Sequence, residues 1–331
     1  MSTLKVTLVS TWDIPCGISE HSAYLKAAIE AADPNIQIGI EVNLHPNAVL
    51  APRIPIWEER PDWMVLNYHA ALHSQWHPEH VRHVQAQGSR VLVVYHDTGI
   101  PNSDQCLALH AVADAFIIHE PAQDLPGAIY LRQGIPDWAT LPIYVCKGDG
   151  RSLTGGRCPV VGTIGFPFSW KNYDLLLQGA ALAGWGVLLI APGATLEQQV
   201  HWHDLNPEIR VIPEFTPRNE AVALLSGCDA TAFLYANANT GTSGAIRQGI
   251  ATRKPVIATA LGICRQFTDL YLDAVGHSAI RWMNSLGVED VAEKLASTLP
   301  LPFDPAVVRL AHQDSWATQG ARYAQILRGL V

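Results

Sequence analysis

Residues 237–259, NANTGTSGAIRQGIATRKPVIAT, gather the side chains best suited to holding an anion. Asn237, Asn239 and Gly241 tolerate unusual backbone angles and suit a loop. Thr242 or Ser243 offers a side-chain oxygen as a helix N-cap. Ala245, Ile246, Gly249 and Ile250 then recur at helical spacing, Arg253-Lys254-Pro255 ends the helix, and Val256-Ile257-Ala258 reads as a short buried strand. A loop rich in hydroxyls and glycine that enters a helix N-terminus presents unpaired N–H groups and the positive end of the helix dipole to a ligand. The same pattern also describes an ordinary loop–helix–strand unit of an α/β sheet, and these residues alone leave both readings open.

Histidine is the second chemical signal. His69, His73, His77, His80 and His83 resemble a metal cluster at first sight, but Pro78 interrupts the helical spacing and no cysteine or acidic pattern completes a zinc site. A polar surface or a place in a ligand cleft fits them better, and no metal site is expected. His96-Asp97 follows an apolar run, where it suits either hydroxyl binding or a hydrogen-bonded loop. Trp12, Trp76 and Trp138 suit sugar stacking or an ordinary core. The absence of G-x-G-x-x-G and of a Walker A pattern argues against dinucleotide oxidoreductases and P-loop enzymes.

The elements that must position these residues alternate between strand and helix. In the first half, strand signals fall at residues 6–9, 36–42, 63–66, 91–95, 115–118 and 128–131, with a helix at 19–32 that Ser19 could cap. Four of these strands run into polar loops: Asn67-Tyr68-His69, His96-Asp97, His119-Glu120 and Arg132-Gln133. In a parallel sheet, the carboxyl ends of the strands form the ligand crevice, so these loops should share one edge. A glycine-rich polar stretch at 147–156 marks a boundary. Strands then return at 160–165, 186–190, 209–212, 230–235 and 255–259, with helices at 172–183, 218–226 and 288–299 and a final helix within 310–330. The pattern predicts an α/β fold of two Rossmann-like, doubly wound domains facing each other across a cleft. The expected division is residues 1–150 as a first domain, 151–305 as a second, and 306–331 as a C-terminal helix packing back toward the first domain.

Composition agrees with a globular protein. The 331 residues are 48% hydrophobic and 16% charged, and no apolar run is long enough to span a membrane. The opening MSTLKVTLVSTWDIP has no basic region followed by a long apolar core, so it does not read as a signal peptide. Six scattered cysteines without a C-x-x-C pair suggest reduced thiols and a cytoplasmic protein. Residues 1–150 hold 8 Lys and Arg against 16 Asp and Glu, whereas residues 151–331 hold 14 of each. The acidic first half is a poor general surface for a polyanion.

In its second half the chain resembles the donor domain of GT-B glycosyltransferases, most of all glycosyltransferase family 4. The matching residues are Gly162-Thr163-Ile164-Gly165, Lys171-Asn172, Leu175 to Ala180, the 237–259 unit with Lys254-Pro255-Val256, and a closing helix with Ser315-Trp316, Tyr323 and Leu327. The first half is similar more loosely, through Cys16-Gly17-Ile18-Ser19, Tyr95-His96-Asp97 and Gln133-Gly134-Ile135. The resemblance implies retaining sugar transfer from a nucleotide-sugar donor without a metal or other cofactor. It also implies site residues. Lys171 and the Gly241-Thr242-Ser243-Gly244 turn would neutralise the leaving diphosphate, with Gly165 beside them and Gly17 and Ile18 approaching from the other domain. His96 and Asp97 would contact the transferred sugar or the acceptor, and Asp13 and His69 the acceptor.

The chain departs from that family in three places. The two family glutamates, eight positions apart, are replaced by Thr240 and Gln248. Gln248 can still accept from a ribose hydroxyl through its amide oxygen, without charge. Phe166 stands where the family tends to place a basic residue. The leading expectation is therefore a glycosyltransferase acting on a hydroxyl-bearing small molecule, a glycan or a modified nucleic-acid base. The alternatives are a nucleotide-sugar epimerase on the same scaffold, and a binding or scaffold protein that has lost the chemistry.

Overall fold

The computed structural model describes residues 2–14, 16–42, 60–69, 73, 76–96, 104–119, 125–136, 158–236, 243–260, 279–298 and 303–330. The described chain packs as two units. The first takes the residues up to Gly134 and those from Trp316 onward, and the second runs from Ile135 to Ser315. The glycine-rich stretch at 147–156 lies outside the described residues.

The first unit opens with β1 (Leu4–Ser10), α1 (Gly17–Ala32), β2 (Ile36–Val42), β3 (Trp63–Tyr68), α2 (Pro78–Ala86), β4 (Arg90–Tyr95), α3 (Asp104–His110), β5 (Ala115–Ile118) and β6 (Ile129–Tyr130). Its six strands are all parallel in the order β2-β1-β3-β4-β5-β6. The winding direction reverses between β1 and β3, the position at which doubly wound sheets bind ligands. β3 is buried along its whole length, as expected of a central strand covered by helices on both faces.

The second unit contains β7 (Val160–Ile164), a 3-10 turn (Ser169–Lys171), α4 (Tyr173–Leu182), β8 (Gly186–Ile190), α5 (Leu196–Leu205), β9 (Ile209–Ile212), α6 (Arg218–Ser226), β10 (Ala230–Phe233), α7 (Gly244–Ala251), β11 (Val256–Thr259), β12 (Ile280–Met283), α8 (Val288–Ala296) and α9 (Pro305–Gln313). Its order, β12-β11-β10-β7-β8-β9, is again fully parallel, with the reversal between β7 and β10. β7, β8, β10 and β11 are wholly buried.

Four sequence expectations need correction. α1 starts two residues before Ser19, because the Cys16 thiol caps it by accepting from Ser19 N at 3.3 Å; Gly17 and Ile18 are thus the first helical turn and not a loop. Pro78 begins α2, where its missing N–H costs nothing, and does not interrupt a helix. The final helix is two helices, α9 and α10 (Trp316–Leu327), broken at Asp314 and Ser315. The break has a cause: Ile135 N donates to Asp314 O at 2.7 Å and Ile135 forms a parallel bridge with Ser315, which takes that backbone out of the helical ladder. α2, α3, α5 and β12 were not foreseen; each is ten residues or shorter, too short for a clear apolar period.

α10 lies along α1 in the core of the first unit, where Trp316, Tyr323, Ala324 and Leu327 join Leu25, Ala28 and Ile29. Trp63 Nε1 donates to Leu327 O at 2.8 Å and fixes the helix end to β3. Gly320 permits the close approach, since a Cβ there would meet Ala28 O at 2.4 Å. Gly320→Ala should force the helices apart and destabilise the first unit by roughly 1–3 kcal/mol, the usual cost of overpacking. A urea midpoint equal to that of the wild type would refute this account of the packing.

Candidate functional site

In the second unit the site grows from the end of β7. Gly165 takes φ +144°, and its carbonyl accepts from Tyr173 Oη at 2.8 Å. The chain then passes through Phe166 and Phe168, both exposed, into the turn that carries Lys171. Lys171 is only 7% exposed. Its Nζ stands 5.2 Å from the centre of the Trp170 ring and 5.3 Å from that of Tyr235. A Cβ on Gly165 would lie 1.9 Å from that Nζ, so the glycine is what leaves the amine its place. Among the described residues no carboxylate forms an ion pair with Lys171. Burial pulls its amine down to about 8 from the usual 10.5.

Tyr235 connects this cation to the start of α7. Its ring faces Lys171, while its hydroxyl shares a 2.8 Å hydrogen bond with Ser243 Oγ. Ala236 N donates to Trp170 O at 2.8 Å and clips the two segments together. Ser243 is the N-cap of α7, its hydroxyl accepting from Ile246 N. A buried ammonium and a capped helix N-terminus therefore share one tyrosine, and both favour an anion. Gln248 on α7 is buried, and its Oε1 has no hydrogen-bond partner. Arg247 is buried and turned back on its own cap, with Nη1 donating to Ser243 O at 3.0 Å, so it is not a surface residue. Gly244 starts the helix with Arg218 nearby. Thr240, Gly241 and Thr242 lie outside the described residues, as does Asp97.

In the first unit the polar residues meet at the carboxyl ends of the strands. Ser10 ends β1, Asn67 lies near the end of β3, and His96 and His119 directly follow β4 and β5. His96 is buried, and Nε2 hydrogen-bonds Asn67 Oδ1 while Nδ1 is met by Gln133 Nε2 at 3.1 Å. Asn67 Nδ2 donates to Ser22 Oγ at 2.6 Å, and Ser22 in turn contacts Ser10 Oγ at 2.6 Å and donates to Ile18 O at 2.8 Å. His119 Nδ1 donates to Leu131 O at 2.7 Å. Burial, reinforced by His21 and His119, holds the His96 imidazole well below its ordinary range, so it is neutral near pH 7.

The remaining residues are more open. Asp13 is exposed with φ +53°, and Gly17 is exposed with free space where a side chain would project. Ile18 and His69 are half-buried, and His69 N donates to His73 Nδ1 at 3.1 Å. His73 is buried, which lowers it to about 4, whereas His77 and His80 lie at the exposed start of α2. Trp76 is fully buried core. Sequence reasoning missed Trp170, Tyr235 and the histidine at position 21, and placed Asn67 and Gln133 at the strand-end edge without giving them a role. Only the Trp170-Lys171 adjacency carried a local signal.

No protein-family model matches the sequence, and no curated protein does either. Solved structures are similar over nearly the whole chain. HepE of Anabaena, solved with UDP and glucose, is 13% identical with a TM-score of 0.67, covering 99% of this chain and 100% of that one. AviGT4, a glycosyltransferase involved in avilamycin A biosynthesis, is 14% identical with a TM-score of 0.58 over 99% and 98% of the two chains. A UDP-forming α,α-trehalose-phosphate synthase from Burkholderia vietnamiensis is 10% identical with a TM-score of 0.58 over 98% and 100%. At these identities the likeness is one of fold: the chain has the GT-B architecture of two parallel α/β domains. No helix among the described residues is long and apolar enough to cross a membrane.

Proposed function

We propose that the protein is a glycosyltransferase of the family 4 type, which moves a sugar from a nucleotide-sugar donor to a hydroxyl-bearing acceptor. The observation that carries this reading is Lys171, a buried cation with no carboxylate among the described residues, set over Tyr235 beside the capped start of α7. A lone buried ammonium is costly unless an anion completes it. The diphosphate of a sugar nucleotide is such an anion. Negative charge grows on it as the glycosidic bond breaks, and Lys171 with the N–H groups of Ser243 and Gly244 stabilises that charge where a metal is otherwise needed. Gly165 keeps the amine in place. Thr240, Gly241 and Thr242 would extend the same N–H cradle.

Gln248 Oε1, buried and unbonded, suits a ribose hydroxyl of the donor. Phe166 stands where the family tends to place a second cation, so among the described residues after β7 Lys171 is the charge on which donor affinity leans. The acceptor is assigned to the first unit, with Asp13 and His69 offering contacts, His96 holding the strand ends, and Asp97 next to His96 in sequence. Family resemblance supports retention of configuration. The structures of HepE with UDP and of the UDP-forming synthase support UDP as the first nucleotide to test.

The test is calorimetric titration with UDP, GDP and ADP, followed by UDP-glucose turnover without and with candidate acceptors. Micromolar binding of one diphosphate is expected; no binding of any of the three at millimolar concentration would sink the reading. Release of a new sugar nucleotide without an acceptor would identify an isomerase. Gln248→Glu should retain UDP affinity or raise it several-fold, because a carboxylate accepts ribose hydroxyls about twice as strongly as a neutral amide. Loss of binding in a folded Gln248→Glu protein would remove the side chain from the ribose.

A further inference from the structure

Three histidines that the nucleotide-sugar reading does not need together meet in the first unit. His21 comes from α1, His96 follows β4 and His119 follows β5, and all three are buried. One ring nitrogen from each lies within 4.8 Å of the others. The ring centres are 4.4 Å apart for His21 and His96, 4.8 Å for His96 and His119, and 5.5 Å for His21 and His119. We propose that His21, His96 and His119 form a three-imidazole binding site for a borderline divalent transition metal, of which Zn2+ is the type.

Imidazole nitrogens about 2.0–2.1 Å from a tetrahedral ion lie roughly 3.3 Å apart with ring centres about 5 Å apart; the ring centres already have that spacing, and a modest inward turn of the rings would bring the nitrogens, now within 4.8 Å of one another, onto an ion. The surroundings fix the tautomers as they do around bound metals. A carbonyl can only accept, so the contact with Leu131 O puts the His119 proton on Nδ1 and leaves the lone pair on Nε2. Asn67 Oδ1 likewise holds the proton of His96 on Nε2 and leaves the Nδ1 lone pair, which now meets the Gln133 amide. That amide is the contact an ion displaces. An all-nitrogen set without carboxylate or thiolate selects Zn2+, Co2+ or Ni2+ over Mg2+ and Ca2+. Three imidazoles leave a fourth position for water. The excess of acidic residues in the first half of the chain favours a cation.

The proposal concerns the first unit alone and stands apart from the diphosphate site of the second. The full chain, produced without a histidine tag and stripped with chelator, is titrated with Co2+ and Zn2+. One equivalent of Co2+ should give the visible bands of a tetrahedral complex, and Zn2+ should raise the melting temperature in proportion to RT ln(1 + [L]/Kd). Mg2+ should do neither. His119→Gln should weaken Zn2+ binding by about 100-fold or more, while the double variant His77→Ala, His80→Ala keeps it. X-ray absorption on Zn2+-loaded wild type supplies the arm independent of variant folding, and about three imidazoles at about 2.0 Å are expected. A wild type that binds Co2+ only in weakly coloured octahedral form, binding that survives His119→Gln, binding that is lost in the double variant, or fewer than three imidazoles at the zinc would each overturn the site. UDP binding is untouched by any of these results.

Discussion

Lys171→Met abolishes nucleoside diphosphate binding and, at pH 7, leaves the ligand-free protein more stable than the wild type. Both effects follow from one buried charge. The folded amine titrates at about 8 against a usual 10.5. At pH 7 the protein therefore holds an ammonium that burial disfavours, at a cost of about 3 kcal/mol on the scale of 1.36 kcal/mol per pKa unit. Methionine has a similar shape and carries no charge, so the burden disappears together with the partner of the diphosphate. The pH dependence has a definite sign. Between about 8 and 10.5 the unfolded chain keeps the proton and the folded chain does not, so wild-type stability rises with pH across that window, and the Lys171→Met curve lacks the rise. UDP affinity runs the other way. It is full below pH 8 and falls by about tenfold per unit above it, since the amine must first recover its proton. Calorimetry between pH 7 and 9.5 and chemical denaturation of both proteins test the set. Wild-type UDP affinity in Lys171→Met, or a flat pH profile in the wild type, would remove Lys171 from the site.

His96→Ala destabilises the first unit by roughly 3–5 kcal/mol and cuts sugar transfer strongly while UDP binding persists. The imidazole is the hub of a buried network, with Asn67 Oδ1 on one nitrogen and Gln133 Nε2 on the other. Its removal leaves a cavity and two unpaired polar groups in a dry place, and unsatisfied groups of that kind cost about 1–3 kcal/mol each. Asn67 also holds Ser22, and through it α1, so the ends of β1, β3 and β4 loosen together. The residues proposed for the diphosphate, Lys171, Tyr235 and Ser243, belong to the second unit, which is why nucleotide affinity should survive. Urea denaturation in the absence of added metal measures the first effect, and turnover beside calorimetry the second. Stability within 1 kcal/mol of the wild type would show that the network does not support the strand ends, by the scale cited above.

Much of the architecture is local and was legible in the chain. The strands Ile36–Val42, Gly186–Ile190 and Ile209–Ile212 and the helix Arg218–Ser226 fall where the apolar pattern puts them, because a central parallel strand such as Gly186–Ile190 reads as a continuous apolar run, the edge strands Ile36–Val42 and Ile209–Ile212 interrupt theirs with polar residues, and amphipathic helices repeat every three to four residues. Repeated alternation of the two made doubly wound domains the expectation, and the hydroxyl at position 243 marked a helix start. These are properties of short segments, decided by side-chain volume, hydrogen-bonding capacity and backbone preference.

Partnership between distant residues was not legible. The histidine run at 69–83 drew attention by its density, yet its members spread along a strand end, a connecting segment and one helix, while His21, His96 and His119 converge from positions far apart in sequence. Their meeting depends on the strand order β2-β1-β3-β4-β5-β6, which a list of strands does not contain. Likewise, Tyr235 joins Lys171 to Ser243 only because β10 lies beside β7. The break at Asp314 reflects a bridge to Ile135, about half the chain away. Sequence period tells which side of an element faces inward; the sheet order, set by packing of the whole unit, decides what it faces.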